Sequence, residues 1–114
     1  MLEQLPACPV ETTITLISDK WKILILRDLN SGTKRFGELK KSISGISPKV
    51  LTSNLRAMEE SGLVFRKVYA EVPPKVEYSL TELGDSLEPV LNAMATWGTA
   101  YKTKVANMEI ESIS

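Results

Sequence analysis

The first thirty residues carry apolar side chains at helical spacing. Pro9 suits the first turn of a helix, because the N–H that it lacks is not needed there. The apolar positions repeat every three or four residues, at Val10, Ile14, Ile17, Trp21, Leu24 and Ile25. Asp19 can cap a second helix that runs from about Lys20 to Leu29 and ends at Asn30-Ser31-Gly32. The pattern therefore predicts two helices that meet near Ser18.

The next segment predicts a short helix that ends in a tight turn. Phe36, Leu39 and Ile43 lie on one face of this helix, which stops at Ser44-Gly45. Ile46 is then well placed to fill the core before the following helix begins.

That following helix has clear start and stop signals. Ser47 is a good N-cap residue, and Pro48 occupies the first helical position. Gly62 supplies a left-handed C-terminal stop. The buried stripe of the helix is predicted to consist of Leu51, Leu55 and Met58. A helix, a short turn and a second helix make the helix-turn-helix arrangement.

The period of the apolar pattern changes after Gly62. Residues 63–69 and 76–80 are rich in β-branched and aromatic side chains, which predicts two strands. The segment between them, residues 70–75, contains Pro73-Pro74, and paired prolines stiffen a loop and prevent ladder pairing. Two strands with a stiff loop, directly after the second helix of the motif, form a wing.

Helical spacing returns in the last third of the chain. Thr81 is a good N-cap, and Pro89 lies inside the pattern, so we expect a kink or a new start there. The apolar positions are Leu83, Leu87, Val90, Leu91, Met94, Trp97, Tyr101 and Val105. We expect one domain over residues 1–114, with a core at 8–102 and tails at 1–7 and 106–114. Its fold class is α+β, mainly helical: a winged helix-turn-helix.

The composition is typical of a soluble globular protein, with 43% hydrophobic and 25% charged residues. No apolar run approaches the roughly 18 residues of a membrane span, and the first residues lack the apolar stretch of a secretory signal. The single cysteine cannot form an internal disulfide and fits a reducing compartment. We therefore expect a cytoplasmic protein without a membrane partner.

The net charge is zero, but the charges are unevenly distributed along the chain. Residues 20–56 carry nine basic and two acidic side chains, a net charge of +7. Residues 1–19 carry three acids and no base, and residues 57–114 have a net charge of −4. A basic segment between acidic flanks is expected of a DNA-binding element. Lysines that only solvate helix faces would give the same counts, so charge alone leaves both interpretations open.

The helix that begins at Ser47 has a polar face without an acid at its start. The side chains of this face, at i, i+3, i+4 and i+7, are Lys49, Thr52, Ser53 and Arg56. Arginine can read guanine through two hydrogen bonds, lysine neutralises phosphate, and the hydroxyls are adaptable. Glu59 and Glu60 lie only at the far end of the helix. Because a solvated face usually mixes both signs of charge, this pattern favours DNA binding.

Seven short motifs carry a family resemblance. They are residues 8–11 (CPVE), 19–27 (DKWKILILR), 35–39 (RFGEL), 46–51 (ISPKVL), 59–64 (EESGLV), 71–78 (EVPPKVEY) and 80–84 (LTELG). In content and order they resemble HxlR-type transcription regulators, which belong to the MarR-like superfamily. The resemblance covers residues 8–102, and several motifs in the same order are far more specific than any single one.

The resemblance implies a MarR-like winged helix that dimerises and binds pseudo-palindromic operator DNA. It assigns DNA contacts to the Ser47 helix and to the wing, where Lys75 matches the family's basic position. It also implies a phosphate contact for Arg35, whereas Pro48 and Val50 match as structural residues. The predicted DNA-binding residues are therefore Arg35, Ser47, Lys49, Thr52, Ser53, Arg56 and Lys75.

A dimer would double the contacts of a single recognition helix and match a palindrome. The resemblance implies that the N- and C-terminal helices form the interface. The last helix also offers more apolar surface than so small a core needs. The candidate interface residues are Leu91, Met94, Trp97 and Tyr101. The alternative is that this face folds back on its own domain.

Cys8 is the candidate regulatory residue. It precedes Pro9, and the amide dipoles of a helix N-terminus favour a reactive thiolate, although Glu11 one turn on opposes it. Some HxlR-type regulators use a cysteine at the matching position to sense quinones, aldehydes or oxidants. The residues leave two interpretations open, a sensor of small electrophiles or a structural cysteine. Without a second cysteine, oxidation could only join two subunits or capture a small thiol. The aromatic interface could alternatively hold a small ligand.

An enzyme is disfavoured. The chain has no histidine, no glycine-rich phosphate loop and no cluster with metal-ligand spacing, and Cys8 has no histidine partner. We expect no catalytic residue, no metal and no cofactor. The remaining alternative is a winged helix that docks on another protein, which would need exposed apolar side chains on the face that carries Lys49 and Arg56. The operator, the regulated genes, the effector and the direction of regulation do not follow from the sequence.

Overall fold

The computed structural model describes residues 5–113, and the side chains of residues 5–109. Its elements are α1 (Pro9–Ile17), α2 (Lys20–Asn30), β1 (Lys34–Arg35), α3 (Phe36–Ser42), α4 (Pro48–Glu60), β2 (Val64–Tyr69), β3 (Lys75–Leu80), α5 (Glu82–Asp85) and α6 (Glu88–Ile113). This confirms the predicted mainly helical α+β winged helix-turn-helix. Residues 1–4 and 114, which belong to the expected tails, lie outside the described residues.

Helices α2, α4 and α5 begin at the capping residues that the sequence indicates. Asp19 Oδ1 accepts a hydrogen bond of 2.9 Å from the backbone N–H of Lys22. Ser47 Oγ accepts one of 3.1 Å from the N–H of Val50, and Thr81 caps α5 in the same way. Each bond satisfies an amide that would otherwise lack a partner in the first helical turn.

The wing hairpin belongs to a three-stranded antiparallel sheet with the order β1-β3-β2. Strands β2 and β3 pair from Val64 opposite Leu80 to Tyr69 opposite Lys75. The hydropathy pattern did not predict β1, because two residues are too short to show alternation; its Arg35 lies opposite Glu77. Strand β3 begins at Lys75, one residue before the predicted start.

The core lies between α2, α3, α4 and the base of the sheet. The stripe predicted for α4 is buried, and Ile46 fills the space before α4 with 1% of its surface exposed. Fully buried side chains include Ile25, Leu26, Leu39, Leu51, Leu55 and Met58. Asn54 is buried as well, and its Nδ2 donates to the carbonyl of Val50 at 2.9 Å. This bond satisfies a polar group that burial would otherwise penalise.

A new helix begins next to Pro89, as expected. Helix α5 ends at Asp85 and α6 starts at Glu88, which puts Pro89 in the first turn of α6. Helix α6 continues to Ile113, through residues that were expected to belong to a tail from residue 106 onwards. This segment contains good helix formers, and adding a residue to an existing helix is favourable. None of the helices within residues 5–113 is long and apolar enough to cross a lipid bilayer.

Candidate nucleic-acid interface

The outer face of α4 brings together the side chains predicted to read DNA. Lys49, Ser53 and Arg56 are exposed and Thr52 is half-buried. All four line one shallow concave surface, which Glu60 borders at its far end. The seven residue steps from Lys49 to Arg56 rise by roughly 10 Å, which corresponds to about three base-pair steps. The face therefore has the length and donors needed to read a short half-site.

The opposite side of α4 holds this face in place. Leu51, Leu55 and Met58 are each at most 1% exposed, so the helix is anchored in the core. Ser47 fixes its first turn through the bond to the amide of Val50. The hydroxyl hydrogen of Ser47 remains free to donate, because the cap uses the oxygen only as an acceptor.

The other two predicted DNA-binding residues lie on the sheet, next to Glu77. Arg35 lies directly opposite Glu77 in the β1–β3 ladder, and Lys75 Nζ is 3.5 Å from Glu77 Oε2. The hydroxyl of Tyr69 donates to Glu77 Oε1 at 2.7 Å. This hydrogen bond, with the positive charges of Lys75 and Arg35, lowers the pKa of Glu77 from its ordinary value of 4.5. Glu77 therefore stays ionised at neutral pH, where it pairs with Lys75 and attracts the charge of Arg35.

Lys67 also belongs to this group. The ammonium groups of Lys67 and Lys75 each lie 4.8 Å from the centre of the Tyr69 ring. At this distance, cation–π interactions attract both ammonium groups to the Tyr69 ring. Lys67, Tyr69 and Glu77 were not among the predicted site residues, although their alternation along β2 and β3 places them on one face of the hairpin.

The sheet separates this group from α4. Arg66 Nε donates to Glu59 Oε1 of α4 at 3.1 Å, so the side chain of Arg66 lies on the α4 side of β2. Because successive side chains in a strand point to opposite faces, Lys67 lies on the other side, together with its cross-strand neighbour Glu77. The predicted DNA-binding residues thus form two groups, one on α4 and one on the outer face of the sheet.

Apolar side chains are exposed along α6, where the sequence predicts a dimer interface. Met94, Trp97 and Tyr101 are 45%, 69% and 56% exposed. The rings of Trp97 and Tyr101 stack with their centres 5.3 Å apart. Leu91 differs from them, because it is half-buried against the core. Within the described side chains, this face does not fold back on its own domain.

Further exposed apolar side chains lie on α1. Val10 and Ile14 are 66% and 54% exposed, one helical turn apart on the same face. Cys8 lies at the N-cap position of α1 and is exposed. Among the residues that the structure describes, no group of three or more His, Cys, Asp or Glu side chains is arranged to hold a metal ion.

The family model of HxlR-like helix-turn-helix proteins matches residues 16–106. The chain belongs to the HxlR-like helix-turn-helix family. It is therefore a transcription regulator of the helix-turn-helix type, as the sequence motifs indicated. The HTH-type transcriptional regulator YdeP of Bacillus subtilis (strain 168) is 49% identical over 102 residues, which are 90% of this chain and 80% of YdeP.

Solved structures of related regulators have the same fold as this HxlR-like regulator. The redox regulator HypR in its reduced form is 42% identical with a TM-score of 0.82, over 88% of this chain and 99% of that chain. The reduced form of the transcriptional regulator YodB from Bacillus subtilis is 39% identical with a TM-score of 0.71, over 81% of this chain and 91% of that chain. Cys8 lies before the segment that the family model matches.

Proposed function

We propose that this HxlR-like regulator is a homodimer that binds a pseudo-palindromic operator in DNA through α4. The observation that carries this proposal is the exposed face of α4, where Lys49, Ser53 and Arg56 lie together with no acid before Glu59. Inserted into a major groove, this face presents donors to base edges and phosphates. Arg56 reads a guanine, Thr52 and Ser53 meet neighbouring bases, and Lys49 neutralises a phosphate.

The sheet supplies contacts outside the major groove. Lys75 and Arg35 flank Glu77 on the outer face of the sheet, and we assign both to phosphates beside the half-site. Ser47, at the start of α4, donates its free hydroxyl hydrogen to a phosphate, a contact that helix N-termini commonly make. In this proposal the side chains of α4 contact the bases. Ser47 and the residues of the sheet contact phosphates and so position the protein on the DNA.

Exposed apolar residues on α1 and α6 support the dimer. Met94, Trp97 and Tyr101 on α6 lie open to solvent, and large exposed apolar side chains commonly mark interaction surfaces. Leu91 borders this surface from the side of the core. Two copies related by a two-fold axis would place their α4 helices in major grooves about 34–36 Å apart.

A winged helix that docks on another protein through α4 has no support from this surface. Within the described side chains, none of the exposed large hydrophobic residues lies on α4. The family is one of transcription regulators, and the position of the protein at the bacterial nucleoid stays a prediction that follows from DNA binding.

The test is fluorescence anisotropy on DNA upstream of the protein's own gene, at about 150 mM salt with excess nonspecific competitor. The wild type should remain bound to the operator in the presence of the competitor. Arg56→Ala should weaken the free energy of specific binding by about 1–3 kcal/mol and unfold at the same temperature as the wild type. Arg27→Ala on α2, which removes the same type of exposed side chain, is the matched control. Unchanged operator affinity of Arg56→Ala would exclude α4 as the recognition helix.

Cys8 is proposed as the responsive group for a small electrophile or oxidant. Its exposure and its N-cap position support this, and HypR, a similar protein, is a redox regulator. In the same assay, diamide should abolish operator binding of the wild type and leave that of Cys8→Ser intact. Equal behaviour of the two proteins would leave Cys8 as a structural residue and assign the signal elsewhere, for example to a ligand at the apolar surface of α6.

A further inference from the structure

A row of charged side chains joins the end of α4 to the wing. Arg56 and Glu59 lie one helical turn apart on α4, and Glu59 Oε1 accepts the hydrogen bond of 3.1 Å from Arg66 Nε on β2. Both arginines lie close enough to the half-buried Tyr78 for their charges to oppose the rise in its pKa that burial causes. Arg66 therefore lies beside the polar face of α4 that carries Arg56, on the same side of the sheet as α4.

The bond to Glu59 leaves most of the Arg66 guanidinium available. It uses Nε, whereas the two terminal nitrogens carry four further N–H donors. Within the described side chains, Arg66 makes no other hydrogen bond or ion pair. Its side chain is 48% exposed, while that of Glu59 is 25% exposed. The carboxylate thus fixes one edge of the guanidinium and leaves the other edge open to solvent.

An ion pair of this kind contributes little to folding. Pairs between exposed side chains typically stabilise a protein by about 0–1 kcal/mol, because solvent screens them and both side chains lose rotamer freedom. The open edge of a guanidinium that is held in place is, however, well suited to bind a phosphate through two parallel hydrogen bonds. Arg66 lies on the wing strand that packs against α4, so a DNA backbone running from the groove entered by α4 towards the tip of the wing would pass its open edge.

We propose that Arg66 is a further phosphate-binding residue of this protein and that Glu59 is the residue that positions it. The inference rests on the proposed binding of DNA by α4. It also gives a role to Glu59, an acid at the far end of the polar face of α4. Paired with Arg66, this carboxylate orients the guanidinium of Arg66 towards the DNA.

The test compares two neutral replacements of acid-paired arginines, Arg66→Gln on β2 and Arg27→Gln on α2, in the operator assay at several salt concentrations. They remove the same charge and the same donors, but only Arg66 contacts α4, the helix that we propose to bind DNA. Arg66→Gln should bind roughly tenfold more weakly per protomer, the effect of losing one charge-assisted contact. The slope of log Kd against log salt should also fall by about one unit per protomer. Arg27→Gln should keep the wild-type slope.

The positioning role of Glu59 is tested by a double-mutant cycle. If Glu59 orients Arg66, the change Arg66→Gln should weaken binding less in a Glu59→Ala background than in the wild type. If Glu59 only neutralises Arg66, the same change should weaken binding more in that background. Arg66→Met removes the same donors with an apolar side chain, so a folding defect in one replacement does not decide the result.

The outcomes separate this inference from the proposed function. Equal slopes for Arg66→Gln and Arg27→Gln, with the expected loss in Arg56→Ala, would overturn only the phosphate contact of Arg66. A wild-type protein without salt-sensitive binding to any duplex would overturn both. A cycle in which Glu59→Ala enlarges the effect of Arg66→Gln would overturn the positioning role of Glu59.

Discussion

Gly84 occupies a position where any larger residue should damage the fold. It lies in α5 against the corner between α4 and β2, and a Cβ atom built on it would overlap the carbonyl oxygen of Leu63. The same atom would lie 3.2 Å from Leu80 Cδ2. The leucine side chain can move aside, but the carbonyl belongs to the backbone, whose oxygen accepts the N–H of Thr81 at 3.1 Å.

The surrounding structure resists the shift that Gly84→Ala would require. Gly62 has a φ of +81°, a conformation that residues with a Cβ rarely adopt, and its carbonyl accepts the hydroxyl of Thr81 at 2.5 Å. Overpacking typically costs about 1–3 kcal/mol, and disturbing the Thr81 amide bond adds about 1 kcal/mol. We therefore expect Gly84→Ala to lower the free energy of unfolding by about 2–4 kcal/mol.

Thermal unfolding at fixed protein concentration measures this effect, since association shifts Tm. For a domain of this size, about 2–4 kcal/mol corresponds to a fall in Tm of roughly 8–17 °C. Gly37→Ala in α3 is the matched control, because nothing lies within 4 Å of a Cβ built there. It should be as stable as the wild type or up to about 1 kcal/mol more stable. If Gly84→Ala unfolds at the wild-type temperature, α5 does not pack as the structure shows.

Two further predictions concern α6 and the wing. Trp97 is 69% exposed, so Trp97→Asp should give a monomer of normal fold with poor operator binding, whereas a dimer in sedimentation equilibrium would move the interface elsewhere. Because the pKa of Glu77 is lowered from 4.5 in the folded state, its ionisation stabilises the fold above that pH, and the contribution disappears as pH falls through the lowered pKa. Tyr69→Phe removes the largest cause and should raise the pKa of Glu77 in a carbon-13 NMR titration; an unchanged midpoint would show that the hydrogen bond does not control it.

The sequence alone determined the elements whose signals are local. A cap such as Asp19 or Ser47 bonds to an amide three residues away, and the apolar stripe of α4 repeats within four residues. The start and end of α4 and its polar face were therefore predictable from neighbouring residues. The motifs, taken together, also indicated the family that the comparisons confirmed.

Other features depend on residues that are far apart in the chain. The pairing of β1 with β3 needs Arg35 to meet Glu77, and the exposure of Trp97 depends on whether another element covers it. The sheet separates the two groups of predicted DNA-binding residues. Only the contact between Arg66 and Glu59 shows which face of the sheet lies towards α4. Residue spacing carries no information on contacts of this kind. They are decided when packing of the core brings α4, the wing and α5 together, and this is why Glu59, Arg66 and Gly84 acquired their roles only in the tertiary structure.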